Sequence, residues 1–358
     1  MTPRERVWKS IEHEEPDRVP LAGSFRPEVV ERLKQRFGTD DWDEVLDHLG
    51  IDWRGGIGMG PAAAFRERCE ASGGGGSIRH PDGTFEDELG VIQSQPSKDS
   101  PYHRYVYHPL ADEANLKTFE FPDPDDPTRW EGAEERVRKQ KEKVLVLAGV
   151  GTFFRSAWHL RGFEQWLMDL ASNHDFVNEL LDRMQENDLR RIRKFCELGV
   201  DIISMGGDIA LQRGLFMHPD TWRKVFKPRD AAIIEEARKY GVKHFYFHSD
   251  GNLWDVLEDL IEVGFDIFNP IQPECMDPYE VKARCGDRIT LHGTVSSQHT
   301  LPFGSVEDVR REVEDRIHRL APGGGLTIAP NNVVQYDVPI ENILAVYETA
   351  QQLTYDAL

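Results

Sequence analysis

Val200-Asp201-Ile202-Ile203-Ser204-Met205-Gly206-Gly207-Asp208, and forty-odd residues later Lys243-His244-Phe245-Tyr246-Phe247-His248-Ser249-Asp250-Gly251, decide how this chain folds. Each is a short apolar run that ends in glycine and polar residues, as a strand buried on both faces does. Between the two predicted strands, Asp201–Met205 and Lys243–Phe247, a helix begins at Asp220 and is terminated by Gly241. A strand, a helix and a second apolar strand form a crossover unit, and such units build parallel sheets with helices outside.

The same rhythm extends in both directions. Upstream, Val144–Val150 is a continuous apolar strand bounded by Gly149 and Gly151, and a helix runs from Asp175 to Gly199. Downstream, Leu253, Val256, Leu257, Leu260 and Ile261 mark a helical face closed by Gly264, before a strand at Asp266–Phe268. Asp277-Pro278-Tyr279-Glu280 is a capping-box sequence, opening a short helix that Gly286 ends, and Ile289–His292 is the next strand. Ser305 caps a helix with Val306, Val309, Val313, Ile317 and Leu320 on one face; Leu326–Ala329 is the last strand, and Pro339 opens the final helix. Residues from about 129 to 358 therefore read as regular βα repeats.

The first 128 residues are less regular. Thr2, Pro3 and Glu5 open a capped helix that ends before Pro16; Arg18–Leu21 is strand-like, and helices follow near 27–37 and 42–49. Ile51 to about Pro122 reads as loops with a hairpin-like excursion. The expectation is one α/β domain over 1–358, a (β/α)8 TIM barrel with N-terminal helical and loop additions. A doubly wound open sheet fits the same alternation, but no GxGxxG follows an early strand.

A formal net charge of −20 over 358 residues excludes a broad basic surface for nucleic acid or anionic lipid. No apolar run approaches a bilayer span, and the start Thr2-Pro3-Arg4-Glu5 is unlike a secretory segment, so cytoplasmic residence is expected. Cys69, Cys196, Cys275 and Cys285 form no CxxC pair, which suits a reducing compartment.

In a parallel barrel the C-terminal strand ends converge on one mouth. The polar endings here are Gly207-Asp208, His248-Ser249-Asp250-Gly251, Asn269 with Gln272 and Glu274, His292 to Thr294, and Asn331-Asn332 with Gln335. His248 and Asp250 stand two apart, so in an extended segment they share one side and can share one ligand. The plainer alternative makes Asp250 a cap for the helix beginning at Leu253 and His248 a core histidine. Gly251 allows the close turn a ligand approach needs. His248, Asp250 and Glu274 are the candidate catalytic residues and a tentative metal set, with zinc as the ion considered and Cys275 and Asn332 as distant options. Asp208, Arg213, Asn332 and Tyr336 are candidate substrate contacts, and Trp158 a pocket wall or core residue. Cys275, in a Pro-punctuated loop, is either a reactive or an inert thiol. Gly323-Gly324-Gly325 precedes a strand and reads as a tight turn in preference to a phosphate cradle. His108, His218, His244 and His299 receive no role.

These residues resemble the uroporphyrinogen decarboxylase superfamily, which includes cobalamin-dependent methyltransferases. The likeness lies in Thr2-Pro3-Arg4-Glu5-Arg6-Val7 through Glu15-Pro16-Asp17-Arg18-Val19-Pro20, in Phe247-His248-Ser249-Asp250-Gly251-Asn252, in Asn269-Pro270-Ile271-Gln272-Pro273-Glu274, and in Gly323-Gly324-Gly325 through Asp337-Val338-Pro339 to Glu341-Asn342. The family's decarboxylases carry an Arg-rich segment for the acidic arms of the porphyrinogen; here Leu21-Ala22-Gly23-Ser24-Phe25-Arg26-Pro27 offers one arginine. The family's zinc-dependent thiol methyltransferases use His-x-Cys and a later Cys; here Asp250 holds the first Cys position and the second falls near Asn332. The resemblance thus implies methyl transfer between a small methoxylated or methylated donor and a corrinoid (cobalamin) on a partner protein, O-demethylase-like, with His248, Asp250 and Glu274 aiding the leaving oxygen. The alternatives are a tetrapyrrole decarboxylase and a non-catalytic barrel that binds a corrinoid or small ligand. The oligomeric state stays open, with a homodimer among the options.

Overall fold

The computed structural model describes residues 1–95 and 103–358. Its centre is a parallel sheet of seven strands in the order β1 (Gly55–Gly56), β2 (Val146–Gly151), β3 (Ile202–Gly206), β4 (His244–His248), β5 (Ile267–Asn269), β6 (Thr290–His292) and β7 (Leu326–Thr327). Every neighbouring pair is parallel. Residues 18–22 close the ring. Leu21 bridges Ile328 in parallel, Ala22 N–H donates to the Ile328 carbonyl, and on the other side the Leu21 carbonyl accepts from Asp52 and Trp53 N–H. With that stave the sheet is an eight-position barrel, so the expected fold is the observed one.

One stave was not foreseen. β1 falls inside the stretch read as loops, because two glycines carry no apolar signal. A Cβ on Gly55 would lie 2.2 Å from the Leu145 carbonyl oxygen, so close packing against β2 requires the bare backbone. The remainder of that stretch holds the expected excursion, a four-stranded antiparallel sheet built from Ile78–Arg79, Phe85–Glu86, Ile92–Ser94 and Arg104–Tyr107.

The alternation along β4 sorts its side chains. Phe245 and Phe247 are buried outward in the main cluster between sheet and helices, whereas His244, Tyr246 and His248 share the other face, inside the barrel. The bottom of the barrel is plugged by the Pro3–Ile11 helix, whose Thr2–Glu5 capping box forms as the sequence predicts. Val7 and Ile11 pack there on Leu145, Ile202 and Ile267, and Trp8 meets His244 edge-to-face at 5.4 Å. His244 also pairs with Asp266 at 2.7 Å, which is a structural role.

Two helix boundaries differ from expectation. The segment after Asp220 is two helices, Pro219–Val225 and Lys227–Arg238, interrupted where Pro228 needs a fresh start. The helix after β4 begins at Leu257, with Val256 as its cap, so Asp250 caps nothing. Gly323, Gly324 and Gly325 all have positive φ and form the tight turn into β7. Among the described residues no helix is long and apolar enough to cross a membrane.

Candidate active site

β3 and β4 end side by side, with His248 in register with Gly206, and the two loops that follow bring three chelating side chains together. One ligand atom each from Asp208, His248 and Asp250 lies within 4.8 Å of the others. The loops are locked by short contacts: Asp250 N–H donates to Asp208 Oδ1 at 2.9 Å, and Ile209 N–H donates to Ser249 Oγ at 3.1 Å. Gly251 has φ +95°, and a Cβ there would meet the Ala210–Leu211 backbone at 2.6–2.9 Å. The close approach that this glycine permits is therefore made by the neighbouring loop, not by a ligand.

Each of the three residues is oriented. The Asn269 amide donates through Nδ2 to the His292 carbonyl at 3.2 Å, which turns its Oδ1 toward His248 Nδ1 at 2.7 Å. His248 Nδ1 must then carry the proton, leaving the Nε2 lone pair free, the arrangement a metal-ligating or proton-accepting imidazole needs. Asn332 Nδ2 donates to Asp250 Oδ2 at 2.6 Å, whereas Asp250 Oδ1 is sealed from water and has no partner among the described residues. Burial, followed by the like charge of Asp208, pushes the Asp250 carboxyl up to about 6; His248, the Asn332 amide and Arg155 oppose that rise.

Glu274, expected as the third ligand, lies elsewhere. Its Oε1 accepts from Ser296 Oγ and its Oε2 from Asn331 Nδ2 at 2.8 Å, so both oxygens are occupied in tying the loop after β6 to the loop after β7. Asp208, expected to position substrate, takes the place in the three-residue group. Asn332 reaches that group, but Arg213 is exposed at the tip of the Ala210–Leu211 and Gly214–Leu215 hairpin. Tyr336 is 57% exposed and is not among the residues that line the axial cavity beside this group. Trp158 packs on Tyr105, His159 and Phe163. Burial pushes the Cys275 thiol up to about 11, with the charges of Glu274 and Asp250 adding to it, so it is not a ready nucleophile.

Beside the three-residue group a cavity of about 280 Å³ opens on the barrel axis. Its lining includes Trp53, Leu147, Tyr246, His248, Asn269, His292 and Asn332. The rings of Trp53, Tyr246 and His292 touch one another, with centroids 4.9–6.1 Å apart. Burial holds the His292 imidazole down at about 3, and the neighbouring His248 adds to that, so it is neutral. Trp53 was missed because its stave was missed; Asn269 and His292 stood among the polar strand ends without a role.

The donor set fits a divalent cation. Two carboxylates and an imidazole converge, one carboxylate oxygen is buried without a partner, and an acceptor amide orients the imidazole from behind. Oxygen-rich sets of this kind suit harder cations and also zinc, whereas a thiolate site would favour soft metals.

The model of the family described as uroporphyrinogen decarboxylase (URO-D) matches residues 92–353. The chain belongs to the uroporphyrinogen decarboxylase family. The match starts beyond the opening segment, so the likeness expected at Thr2–Pro20 lies outside it. Two curated relatives from Methanosarcina barkeri, each named Methylcobamide:CoM methyltransferase MtaA, are 28% and 26% identical over 215 residues. The alignment covers 59% of this chain and 58% of each relative's length. A solved structure described as a methyltransferase from Methanosarcina mazei superposes with a TM-score of 0.67 at 18% identity, over 98% of this chain and 99% of the other, and shares the fold.

Proposed function

We propose that this barrel is a corrinoid-dependent methyltransferase that takes a methyl group from a small methoxylated compound, with the corrinoid carried by a separate protein that docks over the mouth. The observation that carries this reading is the convergence of Asp208, His248 and Asp250, with His248 also lining a small axial cavity. The MtaA relatives are named for methyl transfer involving a methylcobamide, which supports the corrinoid half of the reading. Asp250 in place of the first thiolate and Asn332 near the second disfavour a thiol as methyl acceptor and favour an oxygen compound as methyl donor.

Cleaving an O–CH3 bond sends the methyl group to the docked corrinoid and leaves an oxygen that needs a proton or a positive charge. Asp250 is placed to supply the first: burial raises its carboxyl to about 6, which brings its proton closer to use near neutrality than that of an ordinary aspartate. His248, with its Nε2 lone pair free, accepts a hydrogen bond or binds a cation. Asp208, His248 and Asp250 would hold a divalent cation, whose contribution when bound is Lewis-acid polarisation of the substrate oxygen. Asn332 and Asn269 fix the angles of Asp250 and His248.

The test is methyl transfer from methoxylated aromatics to cob(I)alamin, with metal content measured alongside. Turnover that disappears in His248→Ala supports the reading; no turnover above background across a panel of donors overturns it. The tetrapyrrole decarboxylase alternative requires a cluster of arginines, but Arg54 is the one arginine or lysine in the cavity lining, and it already pairs with Asp47 at 2.5 Å.

A further inference from the structure

The cavity floor contains a donor that methyl transfer itself does not use. His292 is 6% exposed and packed edge-on against Trp53 at 4.9 Å and Tyr246 at 5.4 Å. Its Nδ1 is sealed with no partner among the described residues, whereas Nε2 is neither sealed nor bonded and the residue lines the cavity. A buried N–H without an acceptor is costlier and rarer than an idle lone pair, so the proton resides on Nε2. The floor therefore offers the neutral His292 N–H in an aromatic surface, beside the Tyr246 hydroxyl, which has no hydrogen bond among the described residues.

The three rings are in mutual contact, at 4.9–6.1 Å between centroids, and leave no space between their faces. That is a solid floor and not the open aromatic cage that recognises a methylated ammonium. The volume of about 280 Å³ lies at the lower end of small-molecule sites, enough for one ring. Tyr246 and His248 share a strand face two residues apart, a rise of about 6.7 Å.

We propose that the cavity binds an uncharged single ring carrying a hydroxyl in addition to its methoxy group, with the hydroxyl oxygen accepting from His292 Nε2–H and the methoxy group turned toward His248. Naming this substrate class rests on methoxylated compounds being the donors, but binding to the floor needs neither corrinoid nor transfer. The unpaired donor makes the preference selective, because a ring without the hydroxyl leaves it buried and unsatisfied.

The experiment is titration calorimetry of the full chain with 4-methoxyphenol, anisole and tetramethylammonium. Wild type is expected to bind 4-methoxyphenol about tenfold more tightly than anisole, the scale of one buried neutral hydrogen bond. His292→Phe keeps a ring in the floor and should bring the two affinities to within about twofold of each other. Equal affinities on wild type, an unchanged ratio in His292→Phe, or tetramethylammonium binding as tightly as 4-methoxyphenol would overturn the proposal. The wild-type comparison stands alone if the variant does not fold. Selective binding without methyl transfer would remove the proposed activity and keep this subsite; transfer without hydroxyl preference would do the reverse.

Discussion

The two ends of this barrel treat buried carboxylates in opposite ways. At the bottom, Asp52, with 1% of its side chain exposed, receives Arg6 at 2.6 Å, Arg18 at 2.8 Å and the Leu21 N–H at 2.9 Å. Arg4 and Asp201 form a two-pronged pair at 2.7 Å, and Asp201 also accepts the Val146 N–H. At the mouth, Asp250 Oδ1, His292 Nδ1 and the Thr294 hydroxyl have no partner among the described residues; at the bottom the uncharged His244 Nε2 and Thr290 hydroxyl lack one too, but both carboxylates are satisfied. Satisfied charges hold staves in register; unsatisfied ones are tolerated where a ligand completes them. The opening motif with Arg4, Arg6, Asp17 and Arg18 thus belongs to the architecture, and the HxD segment to the chemistry.

The largest expected effect breaks the mouth without touching the bottom. His248→Ala should lower methyl transfer by at least about a hundredfold, the scale of a lost acid–base or ligand group, while the thermal midpoint stays within a few degrees of wild type. An unfolded variant would move His248 to the architectural side of the comparison. The converse change is Asp52→Ala, which strands two arginines and should cost about 3–5 kcal/mol in urea unfolding. A loss under about 1 kcal/mol would show that the bottom network is ornamental to stability.

A subtler variant sharpens the border between the two regions. Glu274→Gln keeps the size but replaces one acceptor, loosening the contact that places Asn331 and, next to it, Asn332 against Asp250. kcat should fall about three- to tenfold with KM and stability nearly unchanged, as for a positioning residue. A fall in KM-dependent terms alone would instead place Glu274 against substrate.

The smallest effect is a pH dependence of stability. Burial, with Arg155 and His108 adding to it, lowers His159 from 6.5 to about 4. Between those values the unfolded chain takes up a proton that the folded one refuses, so stability is lost as pH falls from about 6.5 to 4. His159→Gln should flatten the unfolding midpoint across that window, and an unchanged slope would rule out this histidine as the source. Asp17, held near 2 by Arg6 against its burial cost, adds loss only below about 4 and leaves a separate step.

Where the chain wrote its structure in side chains, the sequence was readable: β2 to β7 follow apolar runs, Thr2 forms the capping box its spacing predicts, and Ser305 caps its helix; Asp277 caps through the Tyr279 N–H, without the box expected with Glu280. β1 was lost because Gly55-Gly56 encodes closeness to a neighbour and not hydrophobicity. The site was half legible for a similar reason. His248 and Asp250 are coupled by strand periodicity, a local property, but the structure brings Asp208 beside them and gives Glu274 other partners. Both follow strand ends, and only the inter-loop bonds from Asp250 N–H and Asn331 Nδ2 separate their roles.

By itself the sequence determined the alternation of strand and helix, the mouth at the strand ends, and the pairing of an imidazole with a carboxylate two residues on. All of these follow from periodicities of two and 3.6 along one segment. The tertiary structure alone decided which third carboxylate joins them, which amide sets the histidine tautomer, and which rings floor the cavity. Those are contacts between strands far apart in the chain, fixed by barrel closure and not by anything either segment encodes alone.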